Sequence, residues 1–254
     1  MPYLDRLSAL VAHVDLRATA LDGPEDGNVA LIERDGRAQT LILWRDLNDL
    51  PTPPPEGMLN LRLEFGGADN PLCHALPGRI EVDLDHAPSV ARIAEALRDE
   101  VATPRCGSAF ALERLSEVLL IGLLRNQIER SDTASGLLSG LAHPGLARVL
   151  VAMHEAPGRE WRVEDFLPIA GMSRSQFMAA FQKHVGKTPM SYLKSWRMGL
   201  ARNDVQRGDR INAVARRYGY RSADAFCRAF VGSYGVAPTR LRQNGPAGAS
   251  YLGK

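Results

Sequence analysis

The chain has 254 residues, 31 basic and 29 acidic side chains, a formal net charge of +2 and 45% hydrophobic content. That length and apolar content can bury one or two cores, which excludes a disordered, collagen-like or disulfide-scaffold chain, and no apolar run approaches the ~20 residues that span a bilayer. The small net charge conceals a split: residues 1–140 carry 13 arginines against 22 acidic residues, net −9, and residues 141–254 carry 18 basic against 7 acidic residues, net +11, a pattern that predicts two domains with the second facing a polyanion.

In the acidic half, Leu4, Leu7, Leu10, Val11 and Val14 recur at helical spacing and predict a short helix. Residues 29–32 and 40–44 flank Asp35-Gly36 and predict a hairpin. Pro51, Pro53, Pro54 and Pro55 make a stiff extended connection. Leu59, Leu61, Leu63 and Phe65 alternate with polar residues, a strand with one buried face that Gly66-Gly67 ends. Ser89 is the expected N-cap of a helix reaching Ala102, and Thr103-Pro104 stops it. A longer helix is expected over residues 108–130. Its Leu112, Leu115, Leu119 and Leu123 stripe fits a two-helix dimer seam or plain core packing. Residues 131–143 open with a polar stretch and are expected to be a linker.

The basic half reads as seven helices. Pro144 starts the first, 163–170 is short, and Ser173 caps the next. Pro189 opens a long helix that Gly208 stops, and helices over 211–218, 222–234 and 238–242 follow. An offset of 49 residues superposes this half on itself. Ser173 maps to Ser222, Phe177 to Phe226, Phe181 to Phe230, Gly186 to Gly235 and Pro189 to Pro238. Each unit is a short helix, a glycine turn and a Ser-capped helix with a Phe-x-x-x-Phe face. Two helices across a tight glycine turn make a helix-turn-helix, and the paired phenylalanines anchor the second helix while its opposite face stays free. A free helix face on a basic scaffold fits a DNA major groove.

The residues Trp161-x-Val163-Glu164, Ala170-Gly171-Met172-Ser173-Arg174-Ser175-x-Phe177, Phe181, Val185-Gly186-x-Thr188-Pro189, Trp196-Arg197-Met198 and Ala215-x-x-x-Gly219-Tyr220-x-Ser222-x-x-Ala225-Phe226-x-Arg228-Ala229-Phe230 closely resemble the AraC/XylS-type DNA-binding domain. The match covers about residues 143–243. Residues 1–130 more loosely resemble the cupin-type effector domain of one branch of that family, with Asn70-Pro71-Leu72 and Ala75-Leu76-Pro77 before the helices. Only three or four candidate strands precede residue 85, against roughly eight in a full cupin, so a shortened barrel is expected. The expected fold class is α+β. A small cupin-like β domain with two helices (1–130) and the linker (131–143) precede an all-α seven-helix domain (144–243), with helix-turn-helix units at about 163–184 and 211–234, and a tail over 244–254.

The resemblance implies a sequence-specific transcriptional regulator, an activator on family grounds, that binds double-stranded promoter DNA and contacts RNA polymerase. It also implies a homodimer controlled by a small-molecule effector. The alternative is a ligand-independent regulator whose degenerate N-terminal domain serves only dimerisation or a protein partner. Base contacts are expected from Arg174, Ser175, Met178, Ala179 and Gln182 in the first unit, where Met178 and Ala179 can meet only thymine methyls, and from Ala223, Asp224, Cys227 and Arg228 in the second. Arg228 suits guanine or phosphate, and Asp224 suits cytosine or the helix N-terminus. Phosphate contacts are expected from Lys183, Lys187, Lys194, Arg197, Arg216, Arg217 and Arg221. Trp161 and Trp196 are expected in the core.

Cys73-His74 admits a redox-sensing reading, although neighbours on a strand point to opposite faces. Three scattered cysteines (73, 106 and 227) and an N-terminus without signal-peptide character predict a reduced cytoplasmic setting. No His-x-His pair, phosphate loop, nucleophile elbow or His-Glu-x-x-His is present, so no metal, cofactor or enzymatic activity is expected.

Overall fold

A computed structural model describes residues 5–11, 16–65, 77–130 and 135–243. Leu4, Val14, Gly66-Gly67, Asn70 to Leu76 with Cys73-His74, the start of the expected linker (131–134) and the tail (244–254) lie outside the described residues.

The acidic half opens with a short helix, α1 (Ser8–Val11), and builds two small antiparallel sheets. One pairs β1 (Leu16–Ala20) with β4 (Leu61–Phe65), Leu16 opposite Phe65. The other runs in the order β2 (Val29–Arg34), β3 (Arg37–Trp44), β5 (Arg79–Asp83). The β2–β3 connection is Asp35-Gly36 with φ of 54° and 74°, the pair of positive φ values that lets a two-residue turn follow the strand twist. Buried Asn28 joins the two sheets. Its amide donates to the carbonyls of Trp44 (2.9 Å) and Leu63 (2.8 Å), and its Oδ1 accepts the Leu63 N–H (2.8 Å).

Two strands went unread in the sequence. β1 followed directly on the expected helix, and β5 alternates buried Ile80 and Val82 with exposed Arg79, Glu81 and Asp83. Among the described residues the acidic half has five strands, against roughly eight in a full cupin.

Two helices follow, α2 (Pro88–Ala102) and α3 (Ser108–Glu129). Pro88, not Ser89, begins α2, with Ala87 at the cap, because proline's fixed φ suits the first helical position. The Leu112, Leu119 and Leu123 stripe of α3 is buried within its own chain, and Leu115 is half-buried against the same core. The dimer-seam reading of these four leucines is therefore corrected to core packing. The exposed apolar residues of α3 are instead Phe110 (68% exposed) and Val118 (49%).

The linker expectation is also corrected. Residues Leu137–Ala142 form a helix, α4, with Leu137, Leu138 and Leu141 buried. Seven further helices complete the fold: α5 (Pro144–Glu155), α6 (Val163–Ala170), α7 (Arg174–Val185), α8 (Pro189–Gln206), α9 (Ile211–Arg217), α10 (Ala223–Tyr234) and α11 (Pro238–Gln243). One continuous apolar cluster runs from the sheets through α3 and α4 to Phe226 and Phe230. The charge boundary is thus not a break in the core.

Candidate nucleic-acid interface

Local chemistry fixes both helix-turn-helix units. In the first, Asp165 accepts the Arg162 N–H (2.7 Å) at the start of α6, and Gly171 ends α6 at φ 70°. Ser173 and Gln176 then cap α7 reciprocally: Gln176 Oε1 accepts the Ser173 N–H (3.1 Å), and Ser173 Oγ accepts the Gln176 N–H (3.4 Å). Arg148 supports the turn from behind, donating to the carbonyls of Ile169 (2.8 Å) and Ala170 (3.1 Å). In the second unit Gly219 turns at φ 77°, and Ser222 Oγ accepts the Ala225 N–H (3.1 Å) to start α10. Phe177 and Phe181 stack at 5.6 Å between centroids, and Phe226 and Phe230 at 5.5 Å. All four are fully buried, so each recognition helix is held by one face and presents the other.

The connecting helix α8 has 18 residues, hence a length of ~27 Å. Trp196 is buried in it against the His154 ring (4.2 Å), and Trp161 is buried beside Phe166 (5.1 Å), so both tryptophans are core as expected.

Of the base-contact candidates on α7, Arg174, Ser175, Ala179 and Gln182 are exposed, while Met178 is half-buried and packs on the core. Arg174 forms an ion pair with Glu164 of α6. On α10, Asp224 and Arg228 are exposed, whereas Ala223 and Cys227 are half-buried. Burial, and then the Asp224 carboxylate, push the Cys227 thiol pKa up. Val231, 42% exposed, completes the outer face of α10 and was missed. The 49-residue offset maps Gln182 onto Val231 and could have found it.

Among the phosphate candidates, Lys183, Lys187, Lys194, Arg216, Arg217 and Arg221 are exposed. Arg221 has one long ion pair, 3.7 Å to Glu160. Arg197 is corrected, whereas Arg217 is exposed but ion-paired. Arg197 is half-buried and donates to the carbonyls of Pro157 (2.5 Å) and Arg159 (2.7 Å), and its burial lowers the guanidinium pKa. Arg217 binds Asp204 (2.5 Å) and Asp209 (2.7 Å), which hold its pKa above the usual arginine value. Tyr218 donates to the same Asp204 oxygen (2.7 Å). Asp204 thereby ties α9 to α8, and both arginines brace the scaffold.

Comparison with known proteins gives two family matches. A helix-turn-helix domain pattern matches residues 168–244, and a cupin pattern matches residues 56–129. An AraC-like transcription regulator of Streptomyces lividans is 34% identical over 65% of this chain and 55% of its own length. The RCS-specific HTH-type transcriptional activator RclR of Escherichia coli K12 is 35% identical over 47% of this chain and 43% of its own. The chain spans about half the length of the relatives it matches. Among solved structures, the DNA-binding domain of AdpA in complex with a target DNA is 28% identical, with a TM-score of 0.37 over 39% of this chain and 90% of that one. No helix of the described residues is long and apolar enough to cross a membrane.

Proposed function

We propose that the chain is an AraC-type helix-turn-helix regulator and acts as a sequence-specific transcription regulator. It binds double-stranded promoter DNA through α7 and α10. One observation carries this reading: two helices, each anchored by a buried phenylalanine pair and each presenting an exposed face, repeat on one strongly basic scaffold. Such a pair reads two adjacent major-groove segments. Phosphate contacts fall to Lys183, Lys187, Lys194, Arg216 and Arg221, which leaves affinity steeply dependent on salt.

The test is selection of bound sequences from a random duplex library by the full-length chain. Enrichment of two conserved blocks about one helical turn apart supports the reading. Retention without enrichment at every salt concentration overturns sequence-specific binding.

The E. coli relative's description as an activator supports activation, with RNA polymerase as the partner, and a cytoplasmic location follows from that role. The acidic half is the control region. Its described sheet interior is filled by Leu31, Leu41, Leu43, Leu61, Leu63, Ile80 and Val82, which favours control through an interface over control by an enclosed small molecule. A metabolite that raises the melting temperature of the full chain would restore the effector reading. The homodimer is proposed on the outer face of α3. There Phe110 and Val118 lie exposed beside Arg114 and Glu117, so two antiparallel copies can pair apolar with apolar and Arg114 with Glu117.

A further inference from the structure

The two recognition helices are held differently at their C-terminal ends. The last turn of α7 is gripped by α4. The Gly136 N–H donates to the His184 carbonyl (2.7 Å), and Ser139 Oγ bonds His184 Nδ1 (3.1 Å). The His143 ring meets the His184 ring edge-on at 5.0 Å while its own Nδ1 caps α5 by accepting the Gly145 N–H (3.2 Å). Packing is close at Gly140. An added Cβ there would lie 2.8 Å from Val185 Cγ2 and 2.8 Å from Leu150 Cδ1. A side chain at this position would have to displace the methyl groups of Leu150 in α5 and Val185 at the end of α7.

The acidic half reaches the same helix. Arg6 Nη1 donates to the Leu141 carbonyl (3.1 Å), and Leu7 and Leu10 share the core with Leu137 and Leu141. The second unit is built otherwise. The 49-residue offset maps His184 and Val185 onto Ser233 and Tyr234. Ser233 Oγ donates to the Ala229 carbonyl of its own helix (3.0 Å), and Tyr234 stacks on Phe230 (4.8 Å) and lies under the Arg202 guanidinium of α8 (4.9 Å), so its ties run within the basic half.

We propose that Ser139 and Gly140 are positioning residues for the first recognition helix, so that the acidic half governs the DNA contact of the first unit and leaves that of the second untouched. The physical reason is close packing. Val185 at the end of α7 lies against Gly140 of α4, so a displacement of α4 presses on the end of α7. Two hydrogen bonds carry the same motion. This inference rests on the DNA-binding reading above.

The test uses the full chain on its selected two-block duplex, with scrambled versions of each block. Arg228→Ala, on α10, first assigns the block read by the second unit. Gly140→Val is expected to cut the discrimination at the other block roughly tenfold, the size of an ordinary overpacking penalty, while the block of α10 keeps its preference. Ser139→Ala, which removes one hydrogen bond and no volume, should act at the same block by a smaller factor. It also serves as the deciding variant if Gly140→Val loses its helical circular dichroism. Equal weakening at both blocks, or an unchanged preference at both in folded variants, overturns the proposal. Wild-type chain that selects no blocks fails earlier and overturns the DNA reading itself.

Discussion

The guanidinium of Arg174, at the start of the first recognition helix, turns back onto the Glu164 carboxylate, whereas Arg228 of the second recognition helix makes no such bond among the described residues. Both partners of that pair are well exposed, so it contributes about 0–1 kcal/mol and competes with DNA on comparable terms. Glu164→Gln should therefore release Arg174 toward the groove. Anisotropy titrations against salt should show affinity rising a few-fold at low salt and the salt slope steepening by about one contact. An unchanged slope would show that the pair does not restrain Arg174.

Arg228 stands exposed at the centre of the α10 face, with no ion pair among the described residues. Arg228→Ala should cost about 1–3 kcal/mol of preference for the selected site over random duplex if it reads a base. Loss of equal size on both duplexes would assign it to phosphate.

Asp204 joins α8 to α9 through Arg217 and Tyr218. Asp204→Ala leaves Tyr218 without its acceptor and Arg217 with Asp209 alone, and should lower unfolding stability by about 1–3 kcal/mol. Denaturant melts measure this, with Asp224→Ala, on the open face of α10, as the near-neutral comparison.

His184 adds a pH dependence of known sign. Burial, then His143, then Lys183, lower its pKa below the ordinary histidine value. Protonation is therefore easier in the unfolded chain than in the folded one. The stability tied to this group is complete above the unfolded histidine pKa of about 6.5 and is lost as pH falls through the lower folded value. Melting temperatures across that window should drop less in His184→Gln than in the parent chain. Parallel curves would remove His184 as the cause.

The corrected dimer face separates association from folding. Phe110→Asp and Val118→Asp should shift sedimentation from dimer to monomer with the melt preserved, because both side chains are exposed in the single chain. Leu119→Asp should unfold the chain instead, since it buries a carboxylate in a filled core. A parent chain that sediments as a monomer at micromolar concentration would dispose of this interface.

The sequence by itself determined the basic half almost completely. Its signals are local: Ser173 and Ser222 cap helices three residues ahead, Gly171 and Gly219 supply positive φ, and each phenylalanine pair repeats at one helical turn. None needs a partner from elsewhere in the chain. Tertiary structure alone decided the rest. Arg197 reads as a phosphate ligand until Pro157, 40 residues away, is seen to accept from it. The leucines of α3 have the same period whether they face a second copy or their own core, and only the packing of the sheets and α2 against them settles which. β1 is five residues long and is defined by β4, where Leu16 lies opposite Phe65. The grip of α4 on α7 left the faintest trace, because Gly140 carries no side chain to signal it, and the space that glycine leaves exists only once three helices have met.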